Sequence, residues 1–222
     1  MRKKFWLIIG ISFLLAGCSV TRSNVKELAS KQLDDAVTAE ICSSVNINKG
    51  LISYYLEPSI GRISGNKSNS VFKIDGYEVV LNIDVSSVIT TKYYGVGTNE
   101  QDFRDIDAFP NQIDEVTGSF LSGSGIIKDF RYRLYRVSDN EYGILLQTSN
   151  LIMVGKTGRG DVLDVIRKMM SILRTCRVDE EKIISTYSKK ELINYKKETL
   201  DIFQKTYPEN GSVQDMISDS SN

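Results

Sequence analysis

The feature that most constrains this chain is the run DFRYRLYRV, residues 129–137. Phe130, Tyr132 and Leu134 alternate with Asp129, Arg131 and Arg133. A period of two puts successive side chains on opposite faces, so this segment is a β-strand with one apolar face, not a helix. Ser138-Asp139-Asn140-Glu141 is a polar turn, after which Tyr142, Ile144 and Leu146 resume the alternation. The pair predicts an antiparallel hairpin, with strand pairing continuing to about Val154.

The rest of the chain supplies partners for that hairpin. Residues 51–57, about 70–74, 77–84 and 88–94 are rich in Ile, Val, Tyr and Thr and predict further strands. Helical periodicity flanks this β-rich centre. Asn24 with Glu27 three positions on resembles a capping pattern, and Val25, Leu28, Ala29, Leu33, Ala36, Val37 and Ile41 follow at helical spacing. Asp161 precedes a second apolar stripe: Val162, Val165, Ile166, Met169, Met170, Ile172, Leu173 and Cys176. Asp164, Lys168, Ser171 and Thr175 line its opposite side, so it should pack on the sheet. A more polar helical stretch covers about 180–206, with Ser188 and Glu191 as an internal cap and Pro208 as a stop. The expected fold class is α+β: an antiparallel sheet with N- and C-terminal helices packed on one face. Residues 24–207 form a single domain, and the polar residues 208–222 form a disordered tail.

Two regions carry unusual charge. Residues 99–125 read as a long acidic loop holding Glu100, Asp102, Asp105, Asp107, Asp114 and Glu115 against a single Arg104, with Phe103, Phe109 and Phe120 interspersed. Such a loop is either solvated and pinned by its aromatics or a partner-binding surface. The ligand spacing of a twelve-residue calcium loop is absent, so no metal is assigned. Opposite in sign is the row Arg131 and Arg133, flanked by Lys128 and Arg136. The row reads as the wet face of a sheet; the alternatives are contact with anionic lipid head groups or pairing with the acidic loop. The candidate partner-binding residues are Phe103, Asp105, Asp107, Phe109, Arg131 and Arg133.

The N-terminus gives an address. Met1-Arg2-Lys3-Lys4 is followed by FWLIIGISFLLAGC, an apolar stretch too short to span a bilayer, which needs about 20 residues. Its layout is that of a secretory signal. Leu15-Ala16-Gly17-Cys18 resembles the lipobox of bacterial lipoproteins. The resemblance implies removal of residues 1–17, diacylglycerol on the Cys18 sulfur and an acylated amino terminus. Ser19 rather than Asp after the cysteine implies, for that class, delivery to the outer membrane. Residues 18–23 then form a lipidated tether, and its five residues after Cys18 reach at most about 17–18 Å. In an exported chain the two other cysteines, Cys42 and Cys176, suggest one disulfide, at least partly buried, joining the C-terminal ends of two neighbouring helices; the alternative is two buried thiols.

Composition narrows the function. Loss of Arg2, Lys3 and Lys4 from 28 basic residues leaves 25 against 28 acidic ones, which argues against nucleic-acid binding. Gly155-Lys156-Thr157 evokes a nucleotide loop, yet a Walker A motif needs Gly five positions before Gly155, where Asn150 stands. The stretch Gly155 to Gly160 reads as a strand-to-helix turn, with no nucleotide and no cofactor. The chain has no histidine, which removes the usual general base and most zinc sites. These readings converge on a non-catalytic periplasmic lipoprotein of the outer membrane. Lipid on Cys18 holds it to the membrane, and it binds a protein or other envelope component. The alternative is a small envelope hydrolase using carboxylates in or near 99–125.

Overall fold

The computed structural model describes residues 24–95, 103, 105–106 and 108–187. The expected signal peptide, Cys18 with its tether, Asp107, the part of the last helical stretch from 188 onward and the tail 208–222 lie outside the described residues.

Along the chain come α1 (Val25–Thr38), β1 (Ile47–Asn48), β2 (Ile52–Tyr54), β3 (Gly61–Ser64), β4 (Asn69–Ile74), β5 (Tyr77–Ile83) and α2 (Val85–Tyr94). Then follow β6 (Gln112–Leu121), β7 (Ile127–Arg136), β8 (Glu141–Gln147), β9 (Leu151–Gly158), α3 (Val162–Thr175), β10 (Arg177–Val178) and α4 (Glu180–Tyr187). The fold class is α+β. Seven antiparallel strands form the main sheet in the order β3-β4-β5-β9-β8-β7-β6, and β1-β2-β10 form a small second sheet.

The main sheet is two meanders joined side by side, β3-β4-β5 and β6-β7-β8-β9, with β5 paired to β9. The chain leaves β5 near the middle and re-enters at the far edge as β6. At about 4.8 Å per spacing it must cross four inter-strand spacings, past β9, β8 and β7, roughly 19 Å in all. Topology therefore demands a long connection between α2 and β6.

One face of the sheet carries the main core. Phe72, Val79, Leu81, Tyr132, Leu134, Ile144, Leu146 and Met153 are buried there against Ala29 and Leu33 of α1 and Val165, Ile166, Met169 and Met170 of α3. Each large side chain so buried stabilises by about 1.5–3 kcal/mol relative to exposure. The predicted hairpin and helix stripes account for most of this list. The polar side of α3 is drier than its sequence implies. Lys168 is buried and pairs with Asp75 and Asp164, and the buried Thr175 hydroxyl accepts from the Tyr55 amide at 3.0 Å.

Three expectations need correction. Residues 88–94, read as a strand, belong to helix α2. The Asp84 carboxylate accepts from the Ser87 amide at 3.0 Å, and Gly95 closes the helix with φ 62°. A capped start and a left-handed stop outweigh the strand preference of Val, Ile and Thr. Second, the acidic loop is shorter than 99–125, because Gln112–Leu121 is strand β6. Its inward positions Asp114, Val116, Gly118 and Phe120 include an acid and a glycine, which hides the alternation. Third, Gly155 to Gly158 are strand residues of β9 rather than a turn. A Cβ on Gly155 would lie 2.8 Å from the Val79 side chain, so glycine here lets β5 and α3 close over the strand.

The expected disulfide is a separate matter. The C-terminal ends of α1 and α3 do meet, but Cys42 is an exposed free thiol and Cys176 a buried one. The Cys42 sulfur sits 2.9 Å from the Ser44 hydroxyl. What joins the helix ends is Arg174, whose Nη1 donates to the carbonyls of Ala36 at 2.7 Å and Ala39 at 2.8 Å. Carbonyls in the last turn of a helix lack intrahelical partners, and a guanidinium satisfies two of them at once.

Candidate functional site

Alternation in β7 sends Arg131, Arg133 and Tyr135 to the sheet face opposite the main core. That face holds a second apolar cluster of Phe109, Tyr135, Val137, Leu145, Ile152 and Val154, with Ile106 and Ala108 packed against it. The described residues of the connection into β6 lie across it as a strap. Phe109 is its anchor. The ring lies directly over Gly143, where a Cβ would come within 2.3 Å of it, and 5.6 Å from the Tyr135 ring centre. Asn111 then turns the chain into β6 with φ 57°, a left-handed conformation that asparagine tolerates.

Charge fastens the other end. Arg133 reaches Asp105 at 2.9 Å and Glu115, its cross-strand neighbour, at 3.1 Å. Its Nη1 donates to the Ile106 carbonyl at 3.2 Å. Arg131 lies 3.4 Å from Glu115 and 3.8 Å from Asp105, and its guanidinium stacks 5.0 Å over the Phe103 ring. Burial opposes the charge of Arg133, but hydrogen bonds to Asp105, Tyr135 and Glu115 outweigh it and hold the guanidinium above its ordinary pKa. Both arginine side chains are mostly covered, so this row is not the wet face of a sheet. It pairs with the acidic segment instead.

Five of the six predicted partner-binding residues are thus gathered where the strap crosses β7: Phe103, Asp105 and Phe109 from the strap, Arg131 and Arg133 from the strand. Asp107 lies outside the described residues. The contacts differ in strength. Phe109 is buried, and truncating a buried Phe costs about 3–5 kcal/mol. The Asp105 side chain is 81% exposed, and an exposed ion pair contributes about 0–1 kcal/mol and weakens with salt. Chemically the arrangement is a guanidinium pair covered by an exchangeable carboxylate, able to accept an external carboxylate or phosphate once Asp105 moves away.

A second polar cluster escaped the sequence. The Lys49 ammonium donates to the Asn69 carbonyl at 2.6 Å and the Ser70 hydroxyl at 3.1 Å, and that hydroxyl is 2.9 Å from the Tyr54 phenol. Burial first, and then nearby Arg62, lowers the Lys49 pKa to about 8. Ser70 and Tyr54 have no solvent exposure, so the trio acts as a link between the small sheet and β4. No spacing signal marks it, because the three residues meet only through strand packing. Among the described residues no group of three or more His, Cys, Asp or Glu side chains is placed to hold a metal ion.

No protein-family model matches the sequence, and no curated protein is similar enough to match it.

Proposed function

We propose that the chain is a lipid-anchored periplasmic lipoprotein of the outer membrane, acting without catalysis by holding a protein or envelope component near the membrane surface. The observation that carries this reading is Leu15-Ala16-Gly17-Cys18 after a basic start and a short apolar core. Supporting it is the short spacing from Cys18 to the first residue of α1, Val25. Lys26 in the first turn of α1 pairs with Asp114, next in sequence to Glu115, which with Asp105 and Arg133 forms a charged clasp holding the strap. A lipid on Cys18 would therefore keep the clasp at the membrane-proximal end of the sheet, with the tip of the β6–β7 hairpin at the far end. Weighing against an envelope hydrolase, Asp105 and Glu115 are both engaged by Arg133, and the chain offers no histidine base.

Anchoring is tested by Cys18→Ser in the full chain. The expected outcome is loss of acyl labelling and of processing; a variant that still carries label overturns the address. Binding is tested by a photoreactive residue at position 105 in intact cells. One envelope protein captured by this chain, and released when Arg133 is also changed to Ala, is the expected result. Capture of abundant bystanders alone, unchanged by Arg133→Ala, would sink it.

A further inference from the structure

The main sheet ends in two outer strands that differ sharply. β3 has four residues and a register shift between Arg62 and Ser64. Short, irregular edges resist pairing with another chain. β6 has ten residues, and its second half, Val116-Thr117-Gly118-Ser119-Phe120-Leu121, contains neither charge nor proline. Nothing in that half guards the edge.

Hydrogen-bond parity shows which groups it offers. At the end of the β6–β7 ladder the Ser122 amide donates to the Ile126 carbonyl at 2.8 Å. Bonded pairs alternate along an antiparallel ladder, so Asp114, Val116, Gly118 and Phe120 direct their main-chain groups at β7. Glu115, Thr117, Ser119 and Leu121 direct theirs outward, and among the described residues β6 pairs with β7 alone. The apolar surface continues to the hairpin tip, where Leu121 is 52%, Ile126 59% and Ile127 72% exposed.

Helix α1 indicates what fits against this edge. It runs in the same sense as β6: Lys26 and Ser30 contact Asp114 at 3.1 and 2.7 Å, and the Cys42 carbonyl lies beside Gly123 past the other end. Its first half exposes Lys26, which pairs with Asp114, together with Glu27 and Lys31, whereas Asp34, Asp35 and Glu40 are exposed toward and just beyond its end, so the first half is net basic and the second acidic. A second copy turned end for end sets the lysines of each helix against the acids of the other. With Ser119 of each copy at the axis, Leu121 of each β6 opposes Thr117 of the other, both directing main-chain groups outward.

We infer that two copies of this chain join antiparallel through β6, making one continuous sheet with the α1 helices side by side in complementary charge. The interface is isologous, and its main-chain bonds are those of strand addition.

Sedimentation of the full chain in detergent, over a range of concentrations, tests the inference. The expected species is a dimer. Ser119→Pro removes an outward N–H while leaving the β7 ladder intact, and should weaken the dimer about tenfold or more with an unchanged melting temperature. Lys31→Asp and Asp35→Lys should each weaken it several-fold, and the two changes combined should restore it. Should Ser119→Pro unfold the chain, the charge exchange decides alone. A wild-type monomer at every concentration overturns the inference, as does heterogeneous aggregation or a dimer indifferent to these substitutions.

Discussion

At Gly143 a missing side chain positions a whole segment. Because a Cβ there would intrude on the Phe109 ring, Gly143→Ala should expel the strap anchor and destabilise the fold by about 1–3 kcal/mol in urea unfolding. An unchanged midpoint would show that Phe109 is not seated there. The cysteines give a second residue-scale prediction. Burial pushes the Cys176 thiol up to about 12, while Cys42 is exposed. Maleimide should label Cys42 readily and Cys176 only after unfolding, giving two titratable thiols in unfolded, unreduced protein whose Cys18 is lipidated. No titratable thiol would mean that the bridge suggested by the sequence forms after all. Lys49 makes a third. Its pKa in the folded chain is about 8 against an ordinary 10.5, so between those values the unfolded chain binds more protons. Stability from this group therefore rises as pH increases through that window and is lowest below pH 8. Lys49→Met should remove that rise from the wild-type-minus-variant difference in urea stability; a parallel pair of curves would refute it.

Among the elements, α2 and the strap show where local sequence misleads. Residues 88–94 have strand-like composition, and the helix depends on its cap. Asp84→Ala should cost about 0.5–2 kcal/mol, read by thermal melting. The strap had a legible outline: its charges and aromatics stand out in the sequence, and so does the arginine row. Their pairing stood among the alternatives but the sequence did not decide it, since Asp105 and Arg133 meet only because the chain must cross from β5 to β6. Hydrogen exchange should find the strap at 105–106 and 108–109 opening more readily than β7–β9, and more so at high salt, because exposed ion pairs are screened. Protection equal to that of β8 would contradict a weakly latched strap.

For the molecule as a whole, the sequence by itself determined what depends on short-range periodicity. Alternation in 129–137 and 142–146 gave the central hairpin, stripes at helical spacing gave α1 and α3, and together they gave an α+β fold with both helices on one face. Such patterns are legible because a side chain's direction follows from its place in a strand or helix. Tertiary structure alone decided strand order, and with it everything that depends on non-local pairing. Joining β5 to β9 placed the end of one meander against the end of the other, forced the strap across the second face and left β6 at the edge. It also covered Arg131 and Arg133, which the sequence leaves as a wet row, and brought Lys49 to Ser70 and Arg174 to the end of α1. The physical reason is the same throughout: these contacts join residues far apart in the chain, and their partners are chosen by how the sheet buries its apolar faces, not by neighbours in sequence.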